Sequence, residues 1–371
     1  MSGPQEEEFS LSRWLVQHRI DATLLMLLLA VCTLGLLVLY SASGQNMSHI
    51  YAQAIRLGLG LTAMIIVAQI PPEWVRTSAP WLFGACTLLL ILVLTLGDDA
   101  KGATRWLDLK IIRFQPSEIM KLAMPIALAA YLHDRPCPVT FRDLIACGIL
   151  LAIPTLLVAR QPDLGTALLI AAAGGFVLYL GGLRWRIILL AAAAAAAAAP
   201  LLWFNLHEYQ QERVLTFINP ARDPAGAGYH ITQSKIAIGS GGLFGKGWLN
   251  GTQAKLNFLP ESNTDFVFAV FAEEAGLLGF LVLLMLYMLI VLRGLSIAAR
   301  SQDTFQRLLA GSLSLTFFVY VFVNMGMVIG ILPVVGVPLP LVSYGGTSMV
   351  ILLASFGLLM SIHTHRKLLA E

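Results

Sequence analysis

From Ala22 to Tyr40 the chain carries no charged side chain. A helix rises 1.5 Å per residue, so about 20 apolar residues match the ~30 Å hydrocarbon core of a bilayer. Comparable runs recur near 50–69, 79–97, 118–132, 143–159, 164–181, 185–204, 265–292, 308–331 and 344–363. Together with 21–40 they predict an all-α polytopic membrane protein of about ten transmembrane helices. Composition agrees: apolar residues make up 57% of the chain and charged residues 12%, about half the charge of an ordinary soluble domain. A water-soluble protein of this size could not bury so much apolar surface, whereas a bilayer solvates it. The fourth and fifth runs are short. The seventh contains alanines at 191–199 and reads as a helix packed in the interior, because small side chains let helix backbones approach closely.

The first residues are polar, and the apolar run after Asp21 exceeds the roughly 7–15 residues of a signal-peptide core, so it reads as a retained helix. Cations in short loops set orientation. With the N-terminus inside, one face collects Arg13, Arg19, Arg76, Arg135, Arg142, Arg184, Arg186, Arg293, Arg300, Arg307, Arg366 and Lys367. The chain then forms a single transmembrane domain over 1–371, with cytoplasmic tails at 1–20 and 364–371. A long extracytoplasmic loop at 205–264 lies between the seventh and eighth helices. The loop at 98–117 breaks the charge rule with Lys101, Arg105, Lys110 and Arg113, which suggests an anionic ligand there. No internal duplication of the transporter kind is evident, which favours an enzyme. A net charge of +3 gives no reason to expect nucleic acid. The four cysteines (Cys32, Cys86, Cys137, Cys147) show no paired spacing for a disulfide or a metal.

Chemistry concentrates in the outer segments. The stretch Gly239-Ser240-Gly241-Gly242-Leu243-Phe244-Gly245-Lys246-Gly247 fails the Walker pattern, because Ser240 replaces its first glycine and Gly247 its Ser/Thr. Its readings are a backbone that presents N–H groups to a diphosphate with Lys246 as the cation, or a re-entrant turn. Asp265 stands where polar loop gives way to the eighth apolar run. There a carboxylate serves either as part of a helix cap, with Asn263 or Thr264 as the capping residue, or as a chemical group. Glu273 and Glu274 follow inside that run, and ionisable groups there are functional candidates. Pro116 suits a first helical turn. It places Glu118 and Lys121 at i,i+3, a pairing that is structural or functional. Asp163, behind Pro162, also begins a helix. The segment 333–348, with three prolines and no charge, cannot be a straight helix. At membrane depth it must be buried in protein or line a wet cavity.

Taken in order, Gly-Ala-Thr-Arg-Trp (102–106), Phe-Gln-Pro-Ser-Glu (114–118), Gln-Pro-Asp-Leu-Gly-Thr (161–166), Ala-Ile-Gly-Ser-Gly-Gly-Leu (237–243), Leu-Pro-Glu and Thr-Asp-Phe (259–266) and Pro-Leu-Val-Ser-Tyr-Gly-Gly-Thr-Ser (340–348) resemble the SEDS (shape, elongation, division, sporulation) proteins over nearly the whole chain. The closing Ser-Ile-His-Thr-His-Arg-Lys (361–367) resembles the elongation branch of Gram-negative rods rather than the division branch. The resemblance implies a peptidoglycan glycosyltransferase that polymerises lipid II on the outer face of the bacterial inner membrane. It implies a class B penicillin-binding transpeptidase as partner and Asp265 as the essential carboxylate, with Glu118 and Lys121 important for structure or activity.

The chemistry is consistent with one base. An α-linked donor and a β-1,4 product require a single inverting displacement, in which Asp265 takes the proton of the acceptor hydroxyl. The diphosphate leaves already charged and needs cations, for which Arg105, Lys246, Lys101 and Arg213 are the candidates; Asp163 and Ser343 are further substrate-binding candidates. A divalent cation, Mg or Mn, could assist, although no metal cage is recognisable. The rival readings are a lipid II flippase, a non-catalytic scaffold for the transpeptidase, and a lipopolysaccharide-type ligase.

Overall fold

The structure is a computed structural model that describes residues 19–365, apart from 97, 101–102, 109–112, 137, 205–207, 224–225, 257 and 260–261. Helices α1 (Ala22–Ala42), α2 (Met47–Gln69) and α3 (Pro72–Leu96) are followed by short strands β1 (Asp98–Ala100), β2 (Ala103–Asp108) and β3 (Arg113–Phe114). Next come α4 (Pro116–Leu132), α5 (Phe141–Arg160), α6 (Leu164–Leu180) and α7 (Trp185–Trp203). The long loop holds α8 (Glu208–Ile218), a 3-10 turn (Pro220–Arg222), α9 (Ala227–Gly241) and the single turn α10 (Thr252–Lys255). The chain closes with α11 (Val267–Ala299), α12 (Thr304–Ile329) and α13 (Thr347–Thr364).

Helices α1–α7 and α11–α13 fall on the ten apolar runs. Among the described residues, seven are long and apolar enough to cross a membrane: α1, α2, α3, α5, α11, α12 and α13. The short α4 has another explanation. It packs among α3, α6 and α12, and most of its residues are buried, so protein surrounds it where a spanning helix would meet lipid. The alanine-rich α7 corrects the sequence expectation, because most of its described residues are exposed. A face of small apolar side chains meets lipid without penalty, so α7 has no need of the interior.

Polar side chains start the helices. Asp21, Asn46, Thr140, Asp163 and Asp303 each accept a hydrogen bond from a first-turn N–H, as N-caps do. Asp21 has a second role. Arg293 reaches it at 2.7 Å from the far half of α11, and His363 of α13 lies 3.3 Å from Arg293. At the opposite end of the bundle, Ser41 hydrogen-bonds Glu274. Asp265 and the α1–α2 turn therefore share one face of the molecule, and Asp21, Arg293 and His363 mark the other.

The three strands form one small antiparallel sheet in the order β1-β2-β3, with Asp99 opposite Thr104 and Leu107 opposite Phe114. This sheet, which packs on α3 and α4, has no clear signal in the apolar pattern.

Helix α11 bends at Gly276, where φ is 64°. A Cβ there would lie 2.3 Å from the Gly245 nitrogen, so only glycine admits the loop that approaches the bend. Loop and bend are hydrogen-bonded along their backbones: Leu277 and Leu278 N–H donate to Gly242 and Leu243 carbonyls, and Lys246 and Gly247 N–H donate to Glu273 and Glu274 carbonyls. The glycine-rich stretch is thus a re-entrant turn whose paired amides face the helix.

Candidate active site

The proline-rich segment 331–346 enters the bundle without regular structure, and buried neutral groups satisfy its backbone as membrane depth demands. The hydroxyl of the fully buried Tyr287 donates to the Pro340 carbonyl at 2.7 Å. Gln53 of α2 donates to the Ser343 carbonyl at 3.1 Å and accepts from Gly345 N–H at 3.4 Å. The Ser343 hydroxyl accepts from Leu339 N–H at 2.8 Å and donates to the Thr264 carbonyl at 2.6 Å. Tyr344 N–H donates to the Asn263 carbonyl at 2.8 Å. Ser343 is buried, and these bonds make it the stitch between the segment and the residues that lead into Asp265.

Asp265 lies one residue before the N-cap of α11, which is Phe266 and makes no side-chain capping bond. The expectation of a cap from Asn263 or Thr264, with Asp265 in the first turn, is therefore corrected. The position is fixed instead by its backbone: Asn324 of α12 donates one amide to the Asp265 carbonyl at 3.0 Å and to the Val337 carbonyl at 2.7 Å. The Asp265 carboxylate rests against Gly336, where an added Cβ would lie 3.6 Å from its Oδ2. Gly336 has φ of +73°, a conformation that disfavours a side chain beside the carboxylate. Asp265 is partly exposed, in contrast to the buried run from Phe266 onward.

A second ionisable group sits below. Glu118 and Lys121 form a 2.7 Å ion pair in α4, and both are nearly buried. Lys121 lies 5.0 Å from the centre of the Tyr320 ring. Tyr320 and Asn324 are one turn apart on α12, so one helix face addresses both the ion pair and the backbone of Asp265. Asp163 caps α6 through Thr166 N–H at 3.2 Å and accepts from Gln115 at 3.1 Å. Gln115, at the N-cap of α4, gives its side chain to Asp163 rather than to its own helix. Gly165 completes the join, since its Cα packs against the Val335 carbonyl. The helix starts at Gln115 and Asp163 thus abut the segment that borders Asp265. Glu118, Lys121, Tyr320, Leu339, Ser343 and Ser348 line part of a cavity of about 50 Å³; Asp265 is not among its lining residues.

The cation candidates separate. Lys246 is ion-paired with Glu273 at 2.6 Å and hydrogen-bonded to Thr252. Arg105 lies in β2 and Arg213 in α8, while Lys101 falls outside the described residues. Among the described residues no three His, Cys, Asp or Glu side chains converge to hold a metal. Sequence reasoning missed Asn324, Tyr320, Gln53 and Tyr287. The available signal was an isolated amide or phenol inside an otherwise apolar run.

Comparison with known proteins agrees with this architecture. The family model of the FtsW, RodA and SpoVE cell cycle proteins matches residues 22–368. Peptidoglycan glycosyltransferase MrdB of Escherichia coli K12 is 55% identical over 353 residues, covering 95% of each chain. A probable peptidoglycan glycosyltransferase FtsW of Geobacter metallireducens is 36% identical, covering 94% of this chain and 96% of its own. Among solved structures, a chain from work on polymerisation and crosslinking by a peptidoglycan synthase complex superposes with a TM-score of 0.82 at 35% identity, covering 92% of this chain and 97% of its own. The rod shape determining protein RodA of Thermus thermophilus superposes with a TM-score of 0.72 at 32% identity, covering 94% and 98%. A polytopic helical bundle with an irregular segment against a helix-start carboxylate defines the class. The chain belongs to the SEDS family of FtsW- and RodA-type proteins.

Proposed function

We propose that this chain polymerises lipid II into β-1,4-linked glycan on the non-cytoplasmic face of the bacterial inner membrane, in one inverting displacement with Asp265 as the general base. The coarser statement is plain: with its family and its 55% identity to MrdB, the chain is a peptidoglycan glycosyltransferase. The observation that carries the finer reading is the setting of Asp265. Its carbonyl is pinned by Asn324, and its carboxylate faces a glycine, which places no side chain beside it.

A base positioned at the acceptor hydroxyl accelerates its attack by about 10²–10⁴-fold. The developing charge on the departing undecaprenyl diphosphate calls for cations; Arg105, Lys246, Lys101 and Arg213 are the candidates, and of these Lys246 would share its charge with Glu273. Asp163 and Ser343 support the reading as residues that position the segment bordering Asp265. A divalent cation, Mg or Mn, would be held mainly by the substrate's diphosphate together with one or two protein carboxylates, and no step is routed through it. The Glu118–Lys121 pair is assigned to alignment of α4 against α12.

The partner in this reading is a class B penicillin-binding transpeptidase, a reading supported by the solved relative that comes from a peptidoglycan synthase complex. The test uses full-length protein in detergent with lipid II, with and without that partner carrying a mutated nucleophile. Polymer should be weak for the chain alone and strong for the pair. Lipid II movement across vesicles without polymer in either case would establish the flippase reading instead. Reporters fused at Asn205–Gln211 and after Arg366 should report opposite faces, the first outside.

A further inference from the structure

Arg56 lies inside a membrane helix, and the function described above does not use it. It stands about nine residues, or ~14 Å of helix rise, from the start of α2 at Met47. Ionisable groups at such depth point by default to a function or a specific partner. Among the described residues no carboxylate pairs with it, and its Nη1 is buried without a hydrogen-bond partner. Its guanidinium instead lies over the Tyr344 ring, 4.3 Å from the centroid. His49, Gln53 and Arg56 follow one another at helical spacing along one face of α2. The His49 ring packs 5.3 Å from the same tyrosine, and its Nδ1 is also buried without a partner. Gln53 fixes the floor of this cluster through Ser343 and Gly345.

The opposite wall is the start of α13. Its N-cap is Gly346, which makes no side-chain capping bond, and an added Cβ there would meet nothing within 4 Å. A planar cation with an unused N–H, a histidine with an unused ring nitrogen and uncapped helix amides beside open space together suit a phosphate group.

We infer that His49, Arg56 and the start of α13 form a binding site for the phosphate group of a lipid seated in the leaflet on the Asp265 side. Phosphate of this kind has two sources, the polyprenyl diphosphate of a substrate and the headgroup of a bulk anionic phospholipid. The substrate carrier is favoured, because the same tyrosine is hydrogen-bonded through its backbone to Asn263, two residues from Asp265. That identification of the lipid rests on the polymerase reading above; the phosphate site itself does not.

The test is lipid binding to the full-length protein in phosphatidylcholine nanodiscs, without turnover. One arm titrates undecaprenyl diphosphate and the other phosphatidylglycerol. Arg56→Gln should weaken binding by about 10–100-fold, the loss expected when a charge-assisted hydrogen bond is removed, and Arg56→Lys by less. Thermal unfolding of both variants is measured alongside, and Arg56→Lys keeps the question answerable if Arg56→Gln folds poorly. An effect in the undecaprenyl arm assigns the site to the substrate carrier, and one confined to the phosphatidylglycerol arm keeps the site but assigns it to structural lipid. Equal binding by wild type and both variants in both arms overturns the site. Because the readout is binding, it survives even if the chain proves not to polymerise.

Discussion

Two irregular segments enter the bundle from the Asp265 side, and they are held in opposite ways. The loop 242–253 is gripped by carboxylates. Glu273, with no exposure, accepts from Lys246, from the Thr252 N–H and hydroxyl, and from Gln253. Glu274 takes Ser41. The segment 331–346 is gripped by neutral groups: Asn324, Tyr287, Gln53 and Ser343. Where ionised side chains hold the backbone, their charge is saturated and their task is architectural. Where amides and hydroxyls hold it, the segment's backbone is fixed without a carboxylate. This contrast supports the proposal that Asp265, rather than Glu273, is the chemical group.

Asp265→Asn tests the contrast most severely. The variant keeps the shape of the side chain and removes its proton affinity, so polymerisation of lipid II should fall by ~10²–10⁴-fold. Partner binding and folded yield should stay normal. Near-normal polymer from this variant would sink the general-base reading and turn attention to Asp163 or Glu118.

Glu273→Gln should invert that pattern. It leaves Lys246 without its counter-ion, and breaking a buried pair costs ~3–5 kcal/mol; the lower end applies here because Lys246 is 30% exposed. Folded yield and thermal midpoint should drop, while the molecules that fold polymerise at close to the wild-type rate per molecule. Full stability with lost activity would mean that the grip on 242–253 is itself catalytic.

Smaller effects probe the neutral grip. Asn324→Ala strips one donor from two carbonyls, that of Val337 buried and that of Asp265 part-buried, at ~1–3 kcal/mol. If the amide aims Asp265, kcat should fall while KM holds. A change in stability alone would reduce Asn324 to packing. Tyr287→Phe removes one hydrogen bond at Pro340, about 1 kcal/mol, and should shift the melting curve with no change in kcat. A kcat loss as large as that of Asn324→Ala would extend the aiming network into the core.

The spans were legible because lipid sets their length, and the helix starts at Pro116 and Asp163 because proline and carboxylate act locally. The Glu118–Lys121 pair was legible from i,i+3 spacing alone. What could not be read is relational. Nothing in Gly242–Gly247 announces that its amides pair with a bent helix some thirty residues further on, since the bend depends on one glycine's φ at 276. The role of Asn324 is of the same kind, since only the fold brings the Asp265 and Val337 carbonyls to its amide. The alanines of α7 misled, because small side chains suit close helix packing and lipid contact equally well.

The clasp of Asp21 with Arg293 carries a consequence for how the protein is made. Its two halves are separated by 272 positions in the chain, and at ~5–20 residues per second a ribosome takes on the order of tens of seconds to pass from one to the other. Throughout that interval the first helix must reside in the bilayer without the clasp, and its mean hydropathy of 2.7 is sufficient for that. The clasp shuts only when the eighth of the predicted spans emerges, and His363 joins it after the last. Closure of this end of the bundle is thereby timed to the late part of synthesis, so that a chain truncated before Arg293 lacks the clasp on its first helix.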